Sequence, residues 1–227
     1  MSQAVSISWN PSWRIIPSRF LPIQLFERVT DSRDLEAVFA LDALTNPGLY
    51  EEVGDLNLVL PQDRVNGPET SVIMAPFTHP NPSGSRFSNG LFGVLYCAGS
   101  LETAIAETCY HRERFMLSTN QPGIELDMRV CCIDLFGELH DLRGKKEELP
   151  LIYDENDYTA AQVYGTNLRK AGSNGSVYDS IRKIGGECAA VFRPSLLSNV
   201  RQERHLCYVW DGQKIATVYE KQKFLSG

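Results

Sequence analysis

What this sequence lacks narrows its class first. No apolar run approaches the roughly 20 residues that a membrane-spanning helix needs. The longest charge-free stretch, residues 70–85, is interrupted by Pro76, Pro80 and Pro82. The first nine residues place no basic group ahead of an apolar core, so no signal peptide is expected. Six cysteines are present (Cys97, Cys109, Cys131, Cys132, Cys188 and Cys207), but none in C-x-x-C spacing, and the neighbours 131 and 132 are poorly placed to bridge each other. Reduced thiols in a cytoplasmic protein are the expectation. Positive charge is not in excess: 22 Lys and Arg stand against 28 Asp and Glu, a formal net charge of −6. That argues against a general nucleic-acid binder while leaving room for a local cationic pocket. There is no internal repeat, low-complexity tract, charge block or G-x-S-x-G elbow.

What is present describes a globular chain. Its 227 residues, 43% hydrophobic and 22% charged, suffice for a core that needs no disulfide or metal support. Residues 1–30, with three prolines, read as irregular chain followed by a strand over 22–29. Asp31 and Ser32 are capping residues for a helix over about 33–45, which Asn46-Pro47-Gly48 would stop. A loop-rich region with two short strands is expected over about 46–90, and loops this long are commonly functional. Further on, a strand over 94–98 precedes a helix capped by Ser100 and running to about 112. A strand follows over 126–135, then a helix from Asp157 whose inward residues are Ala160, Ala161, Val163, Tyr164 and Leu168, with Gly172 as its left-handed C-cap. Strands over 176–180 and 188–192 flank Gly185-Gly186, and a hairpin turns at Asp211-Gly212. One mixed α/β domain spanning 1–227 fits this order.

Three segments carry residues suited to chemistry. Gly84-Ser85-Arg86-Phe87-Ser88-Asn89-Gly90 is a loop of small residues around an arginine, followed by a strand bearing Tyr96. Arginine's planar fork suits phosphate, but an ordinary surface ion pair is equally open for Arg86. Glu107 lies in a helix behind Ala104, Ile105 and Ala106. A partly desolvated carboxylate there can stabilise a developing cation, and a solvated partner of Arg112 or Arg114 is the plainer reading. His111 follows one turn later, but two potential ligands without a third do not make a metal site. In Gly172–Gly186, Ser180 and Arg182 fall on alternate strand positions and so on one face. Ser180 reads as a hydrogen-bonding residue rather than a nucleophile, and it also suits the adjacent turn. Trp9, Trp13 and Trp210 read as packing, and His79, His140 and His205 as hydrogen-bonded loop or core residues.

In this order, Gly84–Gly90, Val94–Glu107 and Gly175–Gly186 resemble the RES domain, whose name lists an arginine, a glutamate and a serine. Phe26-Glu27-Arg28-Val29 resembles the family's early arginine-valine strand. The family's Gly-Gly-Arg-Trp stands here as Gly84-Ser85-Arg86-Phe87, which keeps an aromatic but loses the indole N–H. The resemblance implies a compact, ADP-ribosyltransferase-like α/β (α+β) fold, with mixed and antiparallel sheets flanked by helices. It also implies action on NAD as substrate, with no cofactor and no metal, because nicotinamide is already a cationic leaving group. RES proteins are typically toxins neutralised by a partner with an Xre-type helix-turn-helix domain. The implied reaction is cleavage of the nicotinamide–ribose bond by hydrolysis or phosphorolysis. ADP-ribosyl transfer to a protein and a catalytically silent partner-binding module are the alternatives. By resemblance, Glu107 would stabilise the ribosyl cation or orient the ribose hydroxyls and the acceptor, Arg86 and Arg28 would grip the pyrophosphate or the adjacent ribose, Tyr96 would stack on nicotinamide, and Ser180 would hold ribose or carboxamide. Arg182 is a secondary NAD-binding candidate. The expected partners are the antitoxin, NAD and phosphate, with a homodimer inside the complex, and neither membrane nor nucleic acid.

Overall fold

Alternating burial along the strands builds two cores on the two faces of one sheet. The computed structural model describes residues 2–20, 23, 26–27, 38–39, 53–222 and 224. Seven strands run in the order β1 (Ala4–Pro17), β2 (Leu95–Ala98), β5 (Glu187–Val191), β4 (Gly175–Asp179), β3 (Ile124–Asp141), β6 (Leu197–Trp210) and β7 (Ile215–Lys221). β1 also pairs with β3 along almost its whole length, from Ala4↔His140 to Pro17↔Met128. The pairings therefore divide into a long antiparallel layer, β1-β3-β6-β7, and a short one, β2-β5-β4. The layers meet at the single pair Trp13↔Ala98 and at a brief parallel contact of His140 and Asp141 with Ser176 and Val177. The sheet is thus mixed but mostly antiparallel, as the family resemblance implies.

Leu95, Cys97, Cys131, Ile133, Val177, Ala189 and Val191 enter one core. Their alternates Val94, Ala98, Met128, Val130, Tyr178, Cys188 and Ala190 enter the other, as period-2 side-chain geometry requires. β1 serves both cores. The β1–β3 register shifts by one residue between Trp9 and Ser12, around Pro11, so Ile7 packs in the first core and Ile15 in the second. A bulge is where a strand tolerates proline, which has no N–H for the ladder. Residues 4–17 are consequently strand rather than irregular chain.

Among the described residues, three helices with defined bounds flank the sheet: α1 (Ser71–Thr78), α2 (Leu101–Ser118) and α3 (Thr159–Lys170). No strand forms among the described residues of the expected loop-rich region. It contains 3₁₀ turns at Leu56–Leu58 and Pro61–Asp63, then α1, whose Val72, Ile73, Met74 and Phe77 are all buried. Being apolar nearly all round and interrupted by Pro76, α1 carries no amphipathic signature. Phe26 and Glu27 are helical, not extended; the rest of the expected strand 22–29, including Arg28, lies outside the described residues. Val38 and Phe39 are helical, and the remainder of the expected helix 33–45 is likewise outside them. α2 begins where expected, with the Ser100 hydroxyl accepting from the Thr103 N–H, but runs six residues further. α3 buries Ala161, Gly165 and Leu168, whereas Val163 is 58% exposed. The Asp211-Gly212 hairpin is present, with Gly212 at φ +102°, and all six cysteines are free thiols. No described helix is long and apolar enough to cross a membrane.

Candidate active site

Helix α2 presents Ala104, Glu107, Thr108, His111 and Arg112 at helical spacing, one stripe that runs from buried Ala104 through half-buried Glu107 and Thr108 to exposed His111. It faces a cavity of about 340 Å³, walled also by Trp13, Arg14, Tyr96, Tyr158, Tyr178 and Cys188, with Arg86 from the small-residue loop.

Glu107 is held in one orientation. Its Oε1 accepts from the Ser180 hydroxyl at 2.6 Å and from the Cys188 thiol at 3.8 Å. Burial and the nearby carboxylate push the Cys188 pKa well up, so sulfur remains a protonated donor. Neither Arg112 nor Arg114 pairs with Glu107 among the described contacts, so the plainer surface reading gives way. Ser180 lies just beyond β4, and residues 181–183 form a bend. The expectation that Ser180 and Arg182 share a strand face is therefore corrected. The Ser180 oxygen accepts from the N–H groups of Arg182 and Lys183 at 3.1 and 3.0 Å, which stops the strand and aims the hydroxyl at Glu107.

Arg86 is buried, with 9% of its surface exposed. Its Nη1 donates to the carbonyls of Ile152 and Asp154, both at 2.9 Å, and the guanidinium lies 4.4 Å from the Tyr158 ring centroid. It is no surface ion pair. Tyr96 Oη accepts from the Phe87 N–H at 2.9 Å and bonds the Ser85 hydroxyl at 2.8 Å, so its hydroxyl fastens the loop that carries Arg86. Burial pushes the Tyr96 pKa up to about 12. Phe87 is fully buried, edge-on to Tyr178 at 5.1 Å, and absent from the cavity wall. Phenylalanine in place of the family's tryptophan therefore bears on packing.

Arg182 does not reach the cavity wall. It stacks on Tyr110 at 3.4 Å and bonds Glu155, tying the 180s turn to α2 and the 150s loop. Arg14, by contrast, escaped the sequence reading. Its Nη1 donates to the Tyr96 carbonyl at 2.9 Å where β1 and β2 diverge, while its Nε is buried without a partner. Burial lowers its pKa, and among the described residues no carboxylate pairs with it. The available signal was Trp13-Arg14-Ile15-Ile16, an arginine set in an apolar strand. His111 also lines the cavity, with its pKa lowered by burial against the raising effect of Glu107. Among the described residues no three His, Cys, Asp or Glu cluster closely enough to hold a metal ion.

One carboxylate, buried guanidinium groups and four aromatic rings around a single cavity define an α/β domain suited to an anionic ligand with a cationic reacting centre. The RES-domain family model matches residues 61–211, and the chain belongs to that family. It is 30% identical over 207 residues to the uncharacterized protein y4oC of Sinorhizobium fredii (strain NBRC 101917 / NGR234), covering 91% of this chain and 86% of that protein. A chain in the crystal structure of the M. tuberculosis MbcT–MbcA toxin–antitoxin complex aligns with a TM-score of 0.47 at 10% identity, over 88% of this chain and 86% of that one.

Proposed function

We propose that the cavity binds NAD and breaks its nicotinamide–ribose bond, and that the protein is a toxin held inactive by an Xre-type antitoxin. The observation that carries this reading is Glu107, fixed by Ser180 and Cys188 inside a cavity whose Arg14 has a buried, unpartnered nitrogen. A buried cation without a counter-ion is unfavourable until an anion arrives. The pyrophosphate supplies that anion to Arg14 and to the unused donors of Arg86, whose forked geometry suits phosphate oxygens.

As the C1′–N bond lengthens, positive charge spreads over C1′ and the ring oxygen of ribose. Glu107 stabilises that charge without reorganising, because two donors already hold it. The electron pair leaves with nicotinamide, which departs neutral, so the cleavage itself needs no external acid. Tyr96 lines the cavity as the ring for the nicotinamide to stack on, while Tyr158 carries the Arg86 guanidinium. The cavity volume suits the nicotinamide–ribose half, with the adenosine half lying toward the mouth. Ser180 acts here by positioning Glu107, and Arg182 by bracing the turn that holds Ser180. Water or phosphate accepts the ribosyl group.

Expression in bacteria tests this reading. Wild-type protein should deplete cellular NAD and arrest growth, and co-expression of its Xre-type partner should restore both. Glu107→Gln, nearly isosteric but uncharged, should spare NAD while remaining folded. Equal NAD loss with the variant would remove Glu107 from the chemistry.

A further inference from the structure

Trp13, Tyr96, Tyr158 and Tyr178 wall the cavity, and three of these rings already have a task or a partner. Tyr96 is the ring for the nicotinamide, Tyr158 carries the Arg86 guanidinium, and Tyr178 meets Phe87 edge to face at 5.1 Å. Trp13 is the fourth. It is half-buried, and among the described contacts its indole has no ring or cation partner and its N–H no acceptor. Trp210 shows the contrasting, structural case: it is fully buried, and its N–H donates to the Gln121 carbonyl at 3.0 Å. A tryptophan that only packs is ordinarily satisfied in that way. The place of Trp13 in the sheet decides which part of a ligand it can meet. Trp13 pairs with Ala98, Ala98 with Cys188 and Cys188 with Tyr178, one row across four strands whose side chains share the face of the second core. Neighbouring strands lie about 4.8 Å apart, so the Trp13 backbone stands roughly 10 Å from that of Cys188, whose thiol bonds Glu107. Ala98 between them adds only a methyl group, and the cavity continues over it. The base bonded to C1′ has to lie beside Glu107. A ring two strands away suits the other base of a dinucleotide, beyond the pyrophosphate assigned to Arg14, the next residue.

We infer that Trp13 is the stacking face for the second, purine base of the substrate, and so a positioning and specificity-determining residue. The inference rests on reading the cavity as a dinucleotide site. A purine covers the fused rings of an indole more fully than a pyrimidine does, and the free indole N–H can donate to a ribose or phosphate oxygen beside the stack. Stacking of a base on an aromatic side chain is worth about tenfold or more in affinity. Trp13 thereby reads the end of the ligand that Glu107 does not touch, and fixes how far the reacting ribose enters.

Nucleotide binding without chemistry tests this. ADP and UDP carry the same pyrophosphate and differ in the base, so each is titrated calorimetrically into the purified full chain. Wild type should bind ADP about tenfold more tightly than UDP. Trp13→Leu should bring ADP down to the UDP level, and Trp13→Phe, whose ring is smaller, should keep part of the preference. A purely structural role would weaken both nucleotides alike. ADP should also quench indole emission in wild type and lose that effect in both variants. In turnover, Trp13→Leu should raise KM for NAD about tenfold with kcat little changed. Trp13→Phe carries the test if the leucine variant melts early. Absent ADP binding, equal binding of ADP and UDP by wild type, or an undiminished preference in a folded variant would overturn the stacking role. A Trp13-dependent preference for ADP in a protein that leaves NAD intact would keep the purine site and reject the NAD-cleavage reading.

Discussion

At the scale of residues, each side chain near Glu107 has a separable task. Arg86→Lys keeps the charge but cannot hold the Ile152 and Asp154 carbonyls, lie on Tyr158 and still offer a fork to phosphate. Turnover should fall at least tenfold, and a fully active lysine variant would reduce Arg86 to a bystander. Tyr96 is more than a stacking face. Tyr96→Phe, which a pure stacking role would tolerate, leaves the Phe87 N–H without its acceptor and frees Ser85. An unsatisfied buried donor costs about 1–3 kcal/mol. Thermal melting and turnover should both drop, and a variant with wild-type melting and activity would return Tyr96 to stacking alone. Glu107 and Ser180 were legible in the sequence because their segments carry local motifs. Arg14 was not, since its meaning depends on β1 lying next to β2, a contact between distant stretches of chain.

At the scale of elements, the 84–88 loop is clamped between Tyr96 and α3. Gly165 of α3 lies against the Phe87 backbone, where an added Cβ would meet the Phe87 carbonyl oxygen at 2.1 Å. Gly165→Ala should therefore push loop and helix apart, costing about 1–3 kcal/mol by overpacking and lowering turnover through the displaced Arg86. Equal melting temperature and turnover in wild type and variant would show that the helix does not set the loop. Strand alternation and the Ser100 cap made β2, α2, β4, β5 and the turn of the β6–β7 hairpin readable in advance, whereas β3 runs on to Asp141, β6 begins at Leu197 and α3 starts at Thr159 with no side-chain cap. β1 was obscured by Pro11, because a bulge that absorbs proline looks locally like irregular chain. α1 was obscured because burial on nearly every side erases helical amphipathicity. The end of β4 misled for a third reason. Alternation continues through Ser180 and Arg182 in the sequence, but the Ser180 oxygen captures two backbone N–H groups and turns the chain.

At the scale of the whole molecule, two cores pack on a split sheet, and the cavity opens beside residues of the second. Neutral buried acids are part of that packing. Burial pushes the pKa of Cys97 and Cys131 up to about 11, against an ordinary thiol value of 9.0. Tyr96 and Tyr153 reach about 12, against 10.0. A group whose folded pKa exceeds its unfolded value gives its stability in full below the unfolded value and loses it as pH rises toward the folded one. Melting temperature should thus decline from about pH 9 upward through pH 12, and a flat profile across that window would contradict the buried neutral groups. The central claim is narrower: this cavity breaks the nicotinamide–ribose bond by means of Glu107. Its most direct measurement is release of nicotinamide from NAD by purified, partner-free protein, in chelator-containing buffer, beside folded Glu107→Gln. The account predicts release by wild type and a few hundred-fold slower release by the variant, the effect of about 3–4 kcal/mol of lost transition-state stabilisation. Equal release by the two proteins, or none by wild type, would contradict it.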